Sequence, residues 1–155
     1  MGLQDELGLQ LPFEDVRHET VLNVVRKANL LSAKVANLFR QFDLTEAQFN
    51  VLFSLKFATG NVTQAELGKR LVVTRASVTS VLDKLESKKL VSRVNVPDNR
   101  RIHHVVLTEA GRSLIDKVEP IYREEIYAAL EDIETDDCHK LIHQLENVRD
   151  RVRNH

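Results

Sequence analysis

Apolar residues recur at intervals of three and four along most of this chain, and shift to alternation in one short stretch. From about Asp15 to Phe42 the positions Val21, Leu22, Val25, Ala28, Leu31, Val35, Leu38, Phe39 and Phe42 predict one long amphipathic helix. Thr45-Glu46-Ala47-Gln48 then fits a capping box, in which a Thr hydroxyl and a Gln side chain satisfy each other's backbone N–H groups. The helix it opens carries Phe49, Leu52, Phe53 and Leu55 and is expected to stop near Thr59-Gly60-Asn61, with Gly60 in the left-handed conformation of a helix end. A second capping box, Thr63-Gln64-Ala65-Glu66, opens a short helix to Leu71. Thr74 is placed to cap another, from Arg75 to about Lys88. Two helices joined by the tight Val72-Val73 turn have the spacing of a helix-turn-helix.

After Leu90 the period drops to two. Ser92-Arg93-Val94-Asn95-Val96 alternates, Arg101-Ile102-His103 does so more weakly, and Val105-Val106-Leu107 follows. Pro97-Asp98-Asn99-Arg100 between them is a turn signal, so the segment predicts a β-hairpin with a basic tip. From Thr108 the helical period resumes through Leu114, Ile115, Val118, Ile121, Tyr122, Ile126, Ala129 and Leu130, with Pro120 expected to kink or divide it. Thr135 is expected to cap a final helix carrying Leu141, Ile142, Leu145 and Val148. The expected fold is therefore mainly α with a small β-hairpin wing. Residues 45–108 form a winged helix-turn-helix lobe, and residues 1–44 and 109–155 form a helical region. The apolar stripes of that region exceed what so small a lobe can cover, which points to an isologous dimer.

Composition sharpens this picture. Five Gly, three Pro and no Trp in 155 residues favour long helices over a sandwich or barrel. One cysteine, Cys138, excludes an intrachain disulfide framework and suits a reducing, cytoplasmic setting. No apolar run approaches the ~18 residues of a membrane span, and the acidic start Met1-Gly2-Leu3-Gln4-Asp5-Glu6 reads neither as a signal peptide nor as a myristoylation site. The net charge of −1 is unevenly spread: residues 61–108 hold nine basic against four acidic side chains, a local charge of +5, and the remainder carries −6. A basic module in an acidic frame suits binding of a polyanion by one face only.

On the helix from Thr74, residues Val78, Val81, Leu82 and Leu85 share one side and should face the core. Ala76, Ser77, Ser80, Asp83, Lys84 and Ser87 lie opposite or beside them, with Thr79 on the flank. Such a helix can enter the major groove, with Thr74, Arg75, Ala76, Ser77, Thr79, Ser80 and Lys84 as candidate contacts to base edges or phosphates. Arg100 and Arg101 on the hairpin, with Asn99 and His103, are candidates for the adjacent minor groove, whose negative potential draws an inserted arginine. His103 and His104 point to opposite faces of a strand and cannot chelate together.

At these residues the chain resembles the MarR family of winged-helix transcriptional regulators. The resemblance is carried by Thr63-Gln64-Ala65-Glu66-Leu67-Gly68 and by Thr74-Arg75-Ala76-Ser77-Val78-Thr79 through Leu82-Asp83-Lys84-Leu85-Glu86. It is strongest in the wing, from Pro97-Asp98-Asn99-Arg100-Arg101 through Val105-Val106-Leu107-Thr108-Glu109-Ala110-Gly111, which is similar to that family's D-x-R-x-x-x-V-x-L-T-x-x-G signature. The resemblance implies a homodimer with the first helix and the last two interleaved, binding an inverted repeat in double-stranded DNA through two recognition helices and two wings, with repression the expected outcome. It places Arg101 as the arginine entering the minor groove. Asn99 stands where the family usually has the Asp that orients this arginine; Asn99 accepts a hydrogen bond without a charge, and Asp98 stands beside it. The resemblance also implies release from DNA by a small phenolic or other anionic effector, for which Arg17, His18 and Lys56 are the loosest of candidates, each expected as a surface charge.

Other chemistries find less support. His139 and His143 lie four apart on one helical face, a spacing that can hold a metal, and Cys138 lies in the same first turn, where Asp136 and Asp137 oppose a thiolate. A zinc- or thiol-responsive regulator of the same fold, or a dimeric helical adaptor that binds protein, are the alternatives. The chain has no Gly-rich phosphate loop, Gly-x-Ser-x-Gly or His-Glu-x-x-His, and Cys138 with His139 or His143 is the nearest approach to a nucleophile and base, so neither catalysis nor a cofactor is expected.

Overall fold

The computed structural model describes residues 2–71, 75–96 and 99–154, with the description of 75–77, 96 and 99–102 confined to the backbone. In chain order the elements are α1 (Leu3–Leu7), α2 (Val16–Arg40), α3 (Glu46–Lys56), β1 (Val62–Thr63), α4 (Gln64–Arg70), α5 (Arg75–Ser87), β2 (Val91–Val96), β3 (Asn99–Leu107), α6 (Glu109–Ala129) and α7 (Thr135–Arg153). The three strands form an antiparallel sheet in the order β1-β3-β2. Two compact units divide the chain, Met1–Glu119 and Pro120–His155. Among the described residues no helix is long and apolar enough to cross a membrane.

Local capping explains where several helices begin. The Asp15 carboxylate accepts from Arg17 N at 2.8 Å to start α2. Both capping boxes form. Gln48 N donates to Thr45 Oγ1 and Thr45 N to Gln48 Oε1; Glu66 N donates to Thr63 Oγ1 and Thr63 N to Glu66 Oε2. The donation from Thr63 holds the Glu66 carboxyl below the usual carboxylate range. At the last helix the expectation is corrected: Glu134 is the N-cap residue, without a side-chain bond, and Thr135 is the first helical residue. Gly60 has φ of +88° as expected, yet α3 already ends at Lys56, so this glycine turns the loop rather than capping the helix.

Two helices end on non-glycine residues in the left-handed region. Leu44 N donates to Phe39 O beyond Asp43 (φ +53°), and Leu90 N donates to Leu85 O beyond Lys89 (φ +58°). Both are the six-to-one closure that usually places glycine at the turn. Lys89→Gly is therefore expected to stabilise the chain by about 0.5 kcal/mol, the relief of left-handed strain outweighing the added freedom of the unfolded chain. A small rise in melting temperature, read by circular dichroism, checks it.

Phe39 stacks on Phe49 with ring centroids 4.2 Å apart, and the row continues through Phe53 to Phe57. Phe39, Phe49, Leu52, Leu67, Leu82, Leu85, Ile115 and Val118 are buried to within a few per cent. Each such side chain contributes about 1.5–3 kcal/mol by leaving water, so this cluster dominates the stability of Met1–Glu119. Leu3 of α1, a helix the periodicity did not predict, is buried as well, and Glu6 ties α1 to Arg26 and Lys27 of α2 at 2.7 and 2.5 Å. By contrast Val21, Val24, Val25, Leu30 and Leu31 of α2 are exposed, and α7 has no buried residue at all.

Candidate nucleic-acid interface

The helix-turn-helix is built on α4 and α5. Leu67 of α4 and Val78, Leu82 and Leu85 of α5 are fully buried, and the Gly68 site approaches Val78 closely enough that an added methyl would touch it at 3.7 Å. Val81, expected in the core, is only half-buried. Thr79, Ser80, Asp83, Lys84 and Ser87 are exposed, so the polar face of α5 is open to solvent. Arg75, Ala76 and Ser77 lie in the first turn of α5; Thr74, the expected cap, and the Val72-Val73 turn lie outside the described residues.

The wing departs from the expectation in its tip. Asn99 and Arg100, expected in a four-residue turn, belong to β3, and so does Arg101. Pairing runs from Val91 opposite Leu107 to Val96 opposite Asn99, across an irregularity at Asn95/Val96, so the strands leave only residues 97–98 between them. Those two, Asp98 included, lie outside the described residues. Both arginines therefore stand on β3 backbone just past the loop, within the register irregularity between the Val96–Asn99 and Asn95–His103 pairs. His103 pairs with Asn95 and is half-buried, its Nδ1 buried and, among the described residues, without a hydrogen-bond partner. The third strand, β1, was not expected: two residues are too few for a periodic signal, and they pair with His104 and Val105 of β3.

Arg93, not singled out by the sequence, fastens the wing to α5. From β2 its guanidinium bonds Asp83 Oδ1 at 2.6 Å and Glu86 Oε2, while its backbone N–H donates to Glu86 Oε1 at 3.2 Å. Asp83 and Glu86 are one helical turn apart, and a basic residue on the following strand is the signal that would have found the pair. The fork also neutralises two carboxylates on the helix that would otherwise repel a polyanion.

At the other end of β3, Thr108 Oγ1 donates to Lys89 O at 2.7 Å and accepts from Gly111 N at 3.0 Å, while Thr108 N donates to Leu90 O. The Thr-x-x-Gly of the signature is thus a cap that seats α6 on the end of α5. Lys56, expected on the surface, is mostly buried. It pairs with Asp116 at 2.9 Å and Glu119 at 3.4 Å of α6; Asp116, then Glu119, raise its pKa against the opposing effect of burial. Arg17 is engaged by Asp15, and His18 meets Phe13 edge-on. Between α3 and the end of α4 lies an open groove of about 900 Å³ whose walls include Asn50, Phe53, Ser54, Phe57 and Arg70. On α7, Cys138 Sγ lies 4.0 Å from Ile133 O, and among the described residues no three His, Cys, Asp or Glu side chains gather as metal ligands.

Residues 44–103, the helix-turn-helix and most of the wing, match the sequence model of the MarR family. A stretch of 76 residues is 37% identical to YhbI, an uncharacterised HTH-type transcriptional regulator of Bacillus subtilis (strain 168); it covers 49% of each protein, so the match spans about half the length of that relative. Among solved structures the fold is similar to AbsC, a MarR family transcriptional regulator from Streptomyces coelicolor, with a TM-score of 0.84 at 20% identity over 94% of this chain and 100% of that one. It is also similar to the organohalide sensing regulator RdhR-CbdbA1625 in its 2,4-dichlorophenol bound form, with a TM-score of 0.79 at 18% identity over 92% and 87% of the two chains. The family match thus lies on the winged lobe, and the fold is similar nearly end to end to that of solved MarR family regulators.

Proposed function

We propose that this protein is a homodimeric, sequence-specific DNA-binding transcriptional regulator of the cytoplasm, a repressor that grips an inverted repeat and is released by a small-molecule effector. The observation that carries this reading is a solvent-open hydroxyl-bearing helix face, α5, fastened through Arg93 to a wing whose central strand bears Arg100 and Arg101. A helix in the major groove and an arginine in the neighbouring minor groove need that fixed relation. Thr79, Ser80 and Lys84 are proposed as major-groove contacts with Thr74, Arg75, Ala76 and Ser77, and Asn99, Arg100, Arg101 and His103 as the wing's contacts.

The exposed apolar stripes of α2 and α7 support the dimer, because a second copy is the simplest cover for both. The α3–α4 groove, with two phenylalanines and Arg70 on its walls, suits a small aromatic anion; a dichlorophenol is bound in a regulator of similar fold. Catalysis has no part in this reading.

Fluorescence anisotropy of the purified protein with its own upstream intergenic DNA, beside a scrambled duplex of equal length, tests it. Binding should favour the native fragment and weaken by about a hundredfold or more between 50 and 200 mM salt, as expected for several phosphate contacts in each lobe. Equal, weak binding to both duplexes at either salt concentration would refute it.

A further inference from the structure

The first turn of α4 makes a polar contact with the exposed face of α5. Gln64 Nε2 donates to Thr79 Oγ1 at 2.7 Å. Packing does not require this bond, since Leu67, Val78 and Leu82 already lock the two helices and both partners lie outside the core. What the bond does is select a side-chain geometry. A threonine in a helix divides between two rotamers, and a long glutamine chooses among many; joined, each has one.

Gln64 is itself held from behind. Its neighbour Thr63 is fixed three ways: by strand pairing opposite His104, by accepting Glu66 N, and by donating both its N–H and its hydroxyl to Glu66 Oε2 at 2.7 and 2.8 Å. A continuous set of bonds thus runs from wing strand β3 through Thr63 and Gln64 to Thr79. Among the described residues the second amide N–H and the carbonyl oxygen of Gln64 have no protein partner. In a helix-turn-helix the first helix crosses the DNA backbone while the second enters the groove, so an N–H at the start of α4 meets phosphate rather than a base.

Resting on the DNA-binding reading above, we propose that Gln64 is a DNA-contacting and specificity-positioning residue, its carboxamide bridging a backbone phosphate and the Thr79 hydroxyl. Contact with the backbone thereby fixes the orientation of the side chain that reads the base. Gln64 is a determinant of sequence preference although it touches no base itself.

The test is selection from a random-sequence duplex library with the full-length parent, followed by affinities of the parent and variants for the enriched site and each of its single-base substitutions. Gln64→Ala is expected to lose about tenfold in affinity, in the range for one lost specific contact, and to flatten preference at one base position. Thr79→Ala flattens the same position, and adds nothing when combined with Gln64→Ala. Thr79→Ser, which keeps the hydroxyl, retains the preference. Gln64→Glu, which sets a negative charge against phosphate, binds no better than Gln64→Ala. Melting temperatures within about 2 °C of the parent exclude loss of fold, both side chains lying outside the core. A Gln64→Ala profile equal to the parent's, or lowered uniformly at every sequence, overturns the proposal alone. A parent that enriches no site overturns the DNA-binding reading and this proposal with it.

Discussion

Gly111→Ala is expected to destabilise the protein by about 3 kcal/mol or more, the upper range for forcing an atom into packed structure. A Cβ at this position would stand 1.9 Å from the carbonyl oxygen of Leu90 and 2.9 Å from its carbonyl carbon, well inside van der Waals contact. The obstacle is backbone that cannot step aside. Leu90 O accepts from Thr108 N, and the Thr108 hydroxyl is bonded both to Lys89 O and to Gly111 N, so moving α6 away breaks the cap that seats it. Alanine is the better helix former by about 1 kcal/mol, and helix propensity alone therefore predicts the opposite sign. Urea denaturation decides between them. A midpoint equal to or above that of the parent would mean that α6 is not seated on Leu90.

Arg101→Ala is expected to reduce DNA affinity by roughly ten- to a hundredfold per wing, the range for a well-placed arginine contact, with little change in stability. The residue stands on β3, two past the pairing of Val96 with Asn99, and farther along the strand pairs with both β1 and β2. The salt dependence of binding should weaken with it, by about one in the slope for each phosphate-neutralising charge lost. Arg101→Lys keeps the charge without the planar fork and should recover the salt slope more than the affinity. Anisotropy titrations at three salt concentrations measure both. An Arg101→Ala protein that binds as tightly as the parent would remove the wing from the interface.

What was legible in the sequence was local. A capping box involves residues three apart, and both formed as spaced. The apolar side of α5 was legible because Val78, Leu82 and Leu85 recur at helical intervals, whereas Val81, on the edge of that stripe, was overestimated. What escaped depends on residues far apart in sequence. Two residues become β1 only because β3 lies alongside, and Lys56 leaves the surface only because Asp116 and Glu119 come to meet it. Arg93 reads as an ordinary outward strand residue until α5 places Asp83 and Glu86 against it. Within the candidate site, the residue types and their order along the chain were visible, whereas the links between α5, α4 and the wing were not.

The bare face of α7 has a consequence for gene dosage. A 19-residue helix with no buried side chain is marginal in water by itself. On the proposed dimer its order comes from association, and association follows mass action. In a protein that acts as a pair, active species then fall with the square of copy number once chains are scarcer than the dissociation constant of the pair. On the proposed reading as a dimeric repressor, a cell that halves its supply of this chain would lose about three-quarters of its operator-competent protein, so a promoter under its control would respond to dilution during growth as well as to any ligand.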